Sequence, residues 1–111
     1  MNRDQVLAEL RRHWQEIEQR FAIKHLSVFG SVARDELRDD SDIDVLVEFK
    51  GKATFDGYMD LKFYLETLLN RNVDLVTQDA VKPRMRPLIE QEAIHVTCLD
   101  LLSRRFSGEL L

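Results

Sequence analysis

Two aspartates separated by one residue are the strongest candidates for chemistry in this sequence. Asp42 and Asp44 stand at the start of a run, 42–49, in which apolar and polar residues alternate. Successive side chains of a strand point to opposite faces, so a strand here would present both carboxylates on one face. Carboxylate oxygens are ligands that Mg²⁺ prefers, and paired sites hold two ions about 3.5–4 Å apart. The spacing therefore predicts a site for one or two Mg²⁺ ions.

A Gly-Ser turn offers a second part of the same chemistry. The apolar run 26–29 predicts a short strand that stops at Gly30 and Ser31. Glycine lets a ligand approach the backbone closely, and backbone N–H groups with a serine hydroxyl suit phosphate oxygens. If the intervening loop brings this turn to Asp42 and Asp44, the result is a nucleoside triphosphate site. Ser31 is not predicted to be a nucleophile, because no G-x-S-x-G elbow surrounds it.

A third carboxylate, Asp74, lies in the run 73–77, which predicts another short strand. Two unit charges about 4 Å apart repel by roughly 4 kcal/mol at an effective dielectric of 20, so a fold that gathers three carboxylates needs a cation. The alternative is that Asp42 and Asp44 form the solvent face of an edge strand and that Asp74 caps a turn.

Arg34 follows the Gly-Ser turn and has two open interpretations. It can bind a phosphate, or it can pair with Asp35 or Asp39. The other reactive residue types have simpler interpretations. The histidines lack the spacing of a zinc site and are expected at the surface or in packing, and Cys98 is expected to be inert.

Hydrophobic periodicity predicts the elements that must position these residues. Residues 2–21 predict one amphipathic helix capped by Asn2 or Asp4, and a second helix runs from about Tyr58 to Asn70. Pro83 and Pro87 fall where a further helix begins, and the run 94–96 predicts a last strand. The predicted order is helix, strand, strand, helix, strand, helix, strand.

Length and charge restrict the classes of function. The chain has 111 residues and a mass of 13.0 kDa, so we expect one domain over residues 1–97 and a C-terminal extension, a docking helix or a tail, over 98–111. A net charge of −4 argues against direct binding to nucleic acid. A charged N-terminus, a lone cysteine and the lack of a long apolar run predict a cytoplasmic protein without a membrane anchor.

The spacing of the candidate residues resembles a known signature. Gly30-Ser31, ten further residues and then Asp42-Ile43-Asp44 match the G-S-x10-D-x-D pattern of the nucleotidyltransferase superfamily. The segments 30–34 and 41–45 are similar to those of the minimal nucleotidyltransferases, and the third carboxylate of that family falls on Asp74. The resemblance covers nearly the whole chain. One departure is Asp35, where the family often has glycine.

The resemblance implies a fold, a reaction and a partner. The fold would be α+β, a small mixed sheet with helices packed on one side, as in polymerase β-like nucleotidyltransferases. Family members of this size resemble antitoxins that transfer AMP from ATP to a tyrosine of a HEPN-domain ribonuclease toxin, with which an oligomeric complex is expected.

The site residues are assigned on that basis. Gly30 and Ser31 would seat the β- and γ-phosphates of ATP, and Arg34 would assist them. Asp42, Asp44 and Asp74 would hold Mg²⁺, and Asp74 would also help to activate the acceptor hydroxyl.

Two other functions stay open at this point. The chain could be a catalytically silent antitoxin that acts by binding alone, although the three aspartates argue against this. It could also be a nucleotidyltransferase for a small molecule, but such enzymes need a substrate-binding domain for which 111 residues leave no room. A protein acceptor would bring its own shape. It would dock on the apolar C-terminal residues Leu101, Leu102, Phe106 and Leu110, unless these cover the domain's own core.

Overall fold

Helices and strands follow one another in the order α-α-β-β-α-β-α-β. The computed structural model describes residues 2–38 and 40–96. Within them the elements are α1 (Arg3–Arg12), α2 (Trp14–Phe21), β1 (Ile23–Phe29), β2 (Ile43–Phe49), α3 (Phe55–Leu69), β3 (Val73–Thr77), a 3₁₀ turn (Gln78–Ala80), α4 (Arg86–Glu92) and β4 (Ile94–His95).

The four strands form one mixed sheet in the order β3-β2-β1-β4. Strand β1 is antiparallel to both β2 and β4, whereas β2 and β3 are parallel. Parallel neighbours need a long crossover, and α3 supplies it between β2 and β3. In the resulting register Asp44 lies between Phe29 of β1 and Asp74 of β3. The sheet therefore places two predicted site residues side by side.

The alternation of β2 divides the apolar residues between two faces of the sheet. Ile43, Val45 and Val47 are fully buried in the main core, which also contains the buried residues of α1, α2 and α3. Leu46 points the other way and packs with Val81 and Ile89 in a smaller cluster. The predicted α+β class with a mixed sheet is confirmed, and the helices α1, α2 and α3 pack on one side of it as expected. The short helix α4 adds a small cover on the second face.

The single N-terminal helix predicted over residues 2–21 is wrong in one respect, because the helix is interrupted at His13. The ring Nδ1 of His13 lies 3.0 Å from the carbonyl oxygen of Glu9, an acceptor of the helical ladder. The backbone N–H of His13 also donates to this carbonyl oxygen, at 3.3 Å, so the ladder hydrogen bond is retained at the break. The predicted cap is confirmed, since the side chain of Asn2 accepts a hydrogen bond from the backbone of Gln5 at 2.9 Å.

The other predicted elements are present with small changes of boundary. Strand β1 begins at Ile23, three residues before the predicted start, and β4 ends at His95. Helix α3 ends where predicted, because Asn70 adopts the left-handed conformation, with φ 54°, that stops a helix. Pro87 lies in the first turn of α4, where its missing N–H costs no hydrogen bond.

The predictions for Cys98 and for the extension 98–111, including its apolar docking residues, lie outside the described residues. None of the described helices is long and apolar enough to cross a membrane.

Candidate active site

Asp44 lies at the centre of the candidate site, near the end of the sheet where β1 ends. Its side chain is half-buried, whereas Asp42 and Asp74 are exposed on either side of it. Asp42 directly precedes β2, and the backbone N–H of Ile43 donates to the carbonyl of Asn72 at 3.0 Å. This bond fixes the entry of β2 beside β3. The structure thus brings the three predicted aspartates together at one end of the neighbouring strands β2 and β3.

The electrostatics of Asp44 show that the carboxylates influence one another. Burial is the largest cause of a raised pKa at Asp44, and repulsion from the charges of Asp74, Asp42 and Glu92 acts in the same direction. The positive charge of Arg34 opposes them, and together these effects raise the pKa of Asp44 to about 6. A cation among these oxygens would favour the ionised form, so the donor chemistry fits Mg²⁺.

The carboxylates are not already arranged as a metal cage. Across residues 2–38 and 40–96, no group of three or more His, Cys, Asp or Glu side chains is placed to hold a metal ion. Asp42 and Asp74 are exposed side chains, which can turn toward a cation at little cost. The roles of Asp42, Asp44 and Asp74 as metal ligands therefore stay predictions.

The raised pKa of Asp44 predicts the pH dependence of stability in metal-free protein. The folded state holds this proton up to about pH 6, whereas the ordinary pKa of the group is 3.8. Between these values the folded state binds more protons, so this contribution to the free energy of unfolding falls as pH rises. Stability from this group is complete below 3.8 and is lost as pH passes through about 6. Melting temperatures in EDTA from pH 4 to pH 8 measure the effect, and Asp44→Asn should remove it. Parallel pH profiles for the two proteins would contradict the assignment.

The Gly-Ser turn packs directly against Asp44. Gly30 has φ +70°, a conformation that side chains other than glycine rarely adopt. A Cβ atom at this position would stand 3.1 Å from Cγ of Asp44 and still closer to its Oδ2. The predicted proximity of turn and carboxylate is therefore present. Glycine is required here for both backbone conformation and space.

The loop after Gly30 is held by its own backbone. The N–H groups of Arg34 and Glu36 donate to the carbonyls of Gly30 and Ser31 at 3.2 and 2.8 Å. Beside the loop lies an open cavity of 740 Å³ lined by Ser31, Glu36, Arg38, Asp40 and Ser41. Ser31 therefore lies next to free space, as a phosphate-binding residue requires.

Asp35 adopts a positive-φ backbone conformation of the kind that glycine favours. Its φ is 61°, in the left-handed region that aspartate tolerates better than most residues. Its carboxylate accepts a hydrogen bond from the backbone N–H of Arg3 at 3.1 Å, in the first turn of α1. The departure from the family pattern therefore keeps the turn and ties the loop to α1.

Arg34 forms ion pairs with Glu36 and Glu92, two residues that the sequence did not suggest as its partners. Its Nε donates to Glu36 at 3.0 Å, and its Nη1 donates to the two oxygens of Glu92 at 3.1 and 3.3 Å. These hydrogen bonds raise the pKa of Arg34. Asp35 is engaged with α1 instead, and Asp39 lies outside the described residues. Phosphate binding by Arg34 stays a prediction.

Sequence reasoning missed Glu92 entirely. Besides binding Arg34, its carboxylate accepts a hydrogen bond from the backbone N–H of Gly30 at 3.0 Å. The two residues are 62 positions apart, and an isolated glutamate at the end of a short helix carries no local signal. In this structure the Gly30 amide is already used by the protein, so Ser31 is the better placed of the two residues to meet a phosphate.

Arg71 is a second residue that the sequence did not indicate. Its Nη2 donates to the carbonyl oxygen of Ser41 at 2.8 Å and also to that of Arg38. Arg71 thus fixes the segment that leads into Asp42, the first of the two paired aspartates.

A mixed sheet that sets paired aspartates beside a Gly-Ser turn defines a class, the polymerase β-like nucleotidyltransferase fold. The model of the nucleotidyltransferase domain family matches residues 10–96. The chain belongs to this family, and the enzyme class predicted from the sequence is confirmed.

Named relatives refine the comparison. The chain is 33% identical over 93 residues to the protein adenylyltransferase MntA of Thermococcus cleftensis, covering 84% of this chain and 94% of that protein. A solved structure provisionally described as a minimal nucleotidyltransferase is 38% identical, with a TM-score of 0.74, covering 85% of this chain and 95% of that one.

A more distant neighbour comes from a complex. It is a chain of the structure of the tri-AMPylated Shewanella oneidensis HEPN toxin with its MNT antitoxin, with a TM-score of 0.61 over 91% of this chain and 80% of that one. Its identity is 14%, so this likeness concerns the fold alone.

Proposed function

We propose that this chain is an Mg²⁺-dependent protein adenylyltransferase that neutralises a HEPN-domain toxin by transferring AMP from ATP to a tyrosine hydroxyl. The observation that carries the proposal is the register of the sheet, which pairs Asp44 with Asp74 while Gly30 packs against Asp44. The name of the Thermococcus cleftensis relative supports a protein acceptor. The modified toxin in the Shewanella oneidensis complex supports the kind of partner.

The reaction would be an in-line displacement at the α-phosphorus of ATP. The acceptor oxygen forms a bond to phosphorus, the bond to the pyrophosphate oxygen breaks, and the acceptor loses its proton. Asp42, Asp44 and Asp74 would hold up to two Mg²⁺ ions, which when bound offset the charge of the triphosphate. The Ser31 hydroxyl would donate a hydrogen bond to an oxygen of the β- or γ-phosphate, and the positive charge of Arg34 would attract the same phosphates.

Asp74 is the carboxylate assigned to the acceptor. It belongs to β3, which lies at the edge of the sheet, and its side chain is exposed. A group at an exposed edge can meet a hydroxyl presented by a large partner and accept its proton. This position favours a protein acceptor over a small molecule, which would need walls around it. The proposed assembly is a complex with the toxin, and a cytoplasmic location stays a prediction.

Labelling with [α-³²P]ATP and Mg²⁺ tests the proposal against each acceptor class. We expect one HEPN-domain partner to become labelled on tyrosine, with no labelling of free aminoglycosides or RNA. Mass spectrometry should locate each adduct as an added AMP, and replacing the modified tyrosine with phenylalanine should abolish it. Efficient labelling of a small molecule would contradict the proposal. Tight binding of the toxin without any transfer would show a silent antitoxin instead.

A further inference from the structure

Glu92 links the last helix of the described chain to the nucleotide loop. Its carboxylate accepts from the backbone N–H of Gly30 at 3.0 Å and from Nη1 of Arg34 at 3.1 Å. The side chain of Glu92 is only 24% exposed, which protects these bonds from competition with water. Two parts of the candidate phosphate site thus share one acidic partner.

The sheet sets the position of this partner. Strand β4 pairs with β1 in an antiparallel register that places Ile94 opposite Val28. Glu92 ends α4 two residues before Ile94, and Gly30 follows Val28 by two residues, so the carboxylate of Glu92 reaches the Gly30 amide where β1 ends. Ile89, one turn earlier on α4, packs against Leu46 and holds the helix on the sheet. Glu92 is therefore placed by packing and strand pairing together.

We propose that Glu92 is a positioning residue for the triphosphate, because it fixes the Gly30 turn and the Arg34 guanidinium beside Asp44. This inference rests on the proposed function. The contact leaves donors for the nucleotide. Among the described residues, Nη2 of Arg34 makes no hydrogen bond, and the Ser31 hydroxyl lies next to the open cavity, so these two groups are the donors that we assign to the phosphates. Without Glu92 the turn loses an acceptor and Arg34 loses its more buried anionic partner.

Two variants separate the two contacts. Glu92→Gln keeps an oxygen that can accept from Gly30 but removes the charge that holds Arg34, whereas Glu92→Ala removes both. Glu90→Gln is the matched control, because Glu90 is an exposed carboxylate on the same helix. Calorimetric titration with AMP-PNP and steady-state kinetics with ATP are the measurements. Melting temperatures show whether each variant is folded.

We expect Glu92→Ala to weaken AMP-PNP binding and to raise the KM for ATP about tenfold or more, the scale for lost hydrogen bonds to a charged group. Glu92→Gln should lie between Glu92→Ala and the unchanged protein, and Glu90→Gln should stay within about twofold. Because Glu92 acts through Arg34, the double variant Glu92→Ala/Arg34→Ala should lose less AMP-PNP affinity than the product of the fold-losses of the two single variants.

Three results would overturn the inference. Unchanged nucleotide affinity in both Glu92 variants would do so, and so would a lower melting temperature with unchanged affinity, which would make the role purely structural. Tighter AMP-PNP binding would show that the carboxylate competes with phosphate rather than positioning its donors. A failure of the proposed function looks different, because the unaltered protein would then transfer no AMP to a HEPN-domain partner, or would label a small molecule instead, whatever the Glu92 variants do to AMP-PNP affinity.

Discussion

Asp44→Asn is expected to abolish nucleotidyl transfer while raising the melting temperature of the metal-free protein. Asp44 is half-buried, and its pKa is raised to about 6 by burial and by the charges of Asp74 and Asp42. At neutral pH its ionised form therefore costs folding free energy, which a neutral amide of similar size removes. The same charge is needed to hold the cation. We expect activity to fall by at least about 10³-fold, the upper range for losing one electrostatic contact to a transition state.

Opposite effects on activity and stability are what identify a functional carboxylate. Asp60→Asn is the matched control, since Asp60 is an exposed aspartate of α3, outside the strands that carry the site aspartates, and should change neither property. Transfer assays and thermal melts in EDTA, followed by melts in excess Mg²⁺, are the measurements. Mg²⁺ should stabilise the unaltered protein and have less effect on Asp44→Asn. Undiminished transfer by Asp44→Asn would exclude it as a metal ligand in the reaction.

The parts of the fold that sequence could predict are those with a local signal. The alternation over 42–49 indicated both that β2 is a strand and that Leu46 faces away from the main core, as the structure shows. Asn70 marked the end of α3, and Val73–Thr77 formed the predicted strand. Polar residues hid the start of β1, because Lys24 and His25 interrupt the apolar run there.

The parts that it could not predict depend on contacts between distant residues. The apolar stripe of residues 2–21 continues across His13, so periodicity alone gives no sign of the break between α1 and α2. The partner of Arg34 could not be identified among several acidic residues until strand pairing brought Glu92 to the end of β1. The aspartates were identifiable because their spacing is local. The contacts of Arg71 with Ser41 and of Glu92 with Gly30 join residues far apart in the sequence, so no local pattern indicates them.

Gly30→Ala is expected to inactivate the enzyme and to destabilise the fold through two separable effects. The φ of +70° is unfavourable for alanine, at a cost of about 1–2 kcal/mol. The added Cβ would also stand 3.1 Å from Cγ of Asp44 and closer to Oδ2, so the carboxylate must leave its position. We expect a total loss of about 2 kcal/mol or more, which lowers Tm by roughly 10 °C in a domain of this size.

A double substitution separates strain from collision. In an Asp44→Ala background the carboxylate is absent and the nearest remaining atom, Cβ of residue 44, is at 3.4 Å, an ordinary contact. Gly30→Ala should therefore lower the melting temperature less in the Asp44→Ala background than in the unaltered protein. The difference between the two decreases measures the steric clash with the carboxylate. Gly51→Ala is the control, because nothing lies within 4 Å of its added Cβ and its φ is not in the positive range. If Gly30→Ala were as harmless as Gly51→Ala, or equally costly in both backgrounds, the turn would not be packed against Asp44, and the arrangement that links phosphate binding to the aspartates would be wrong.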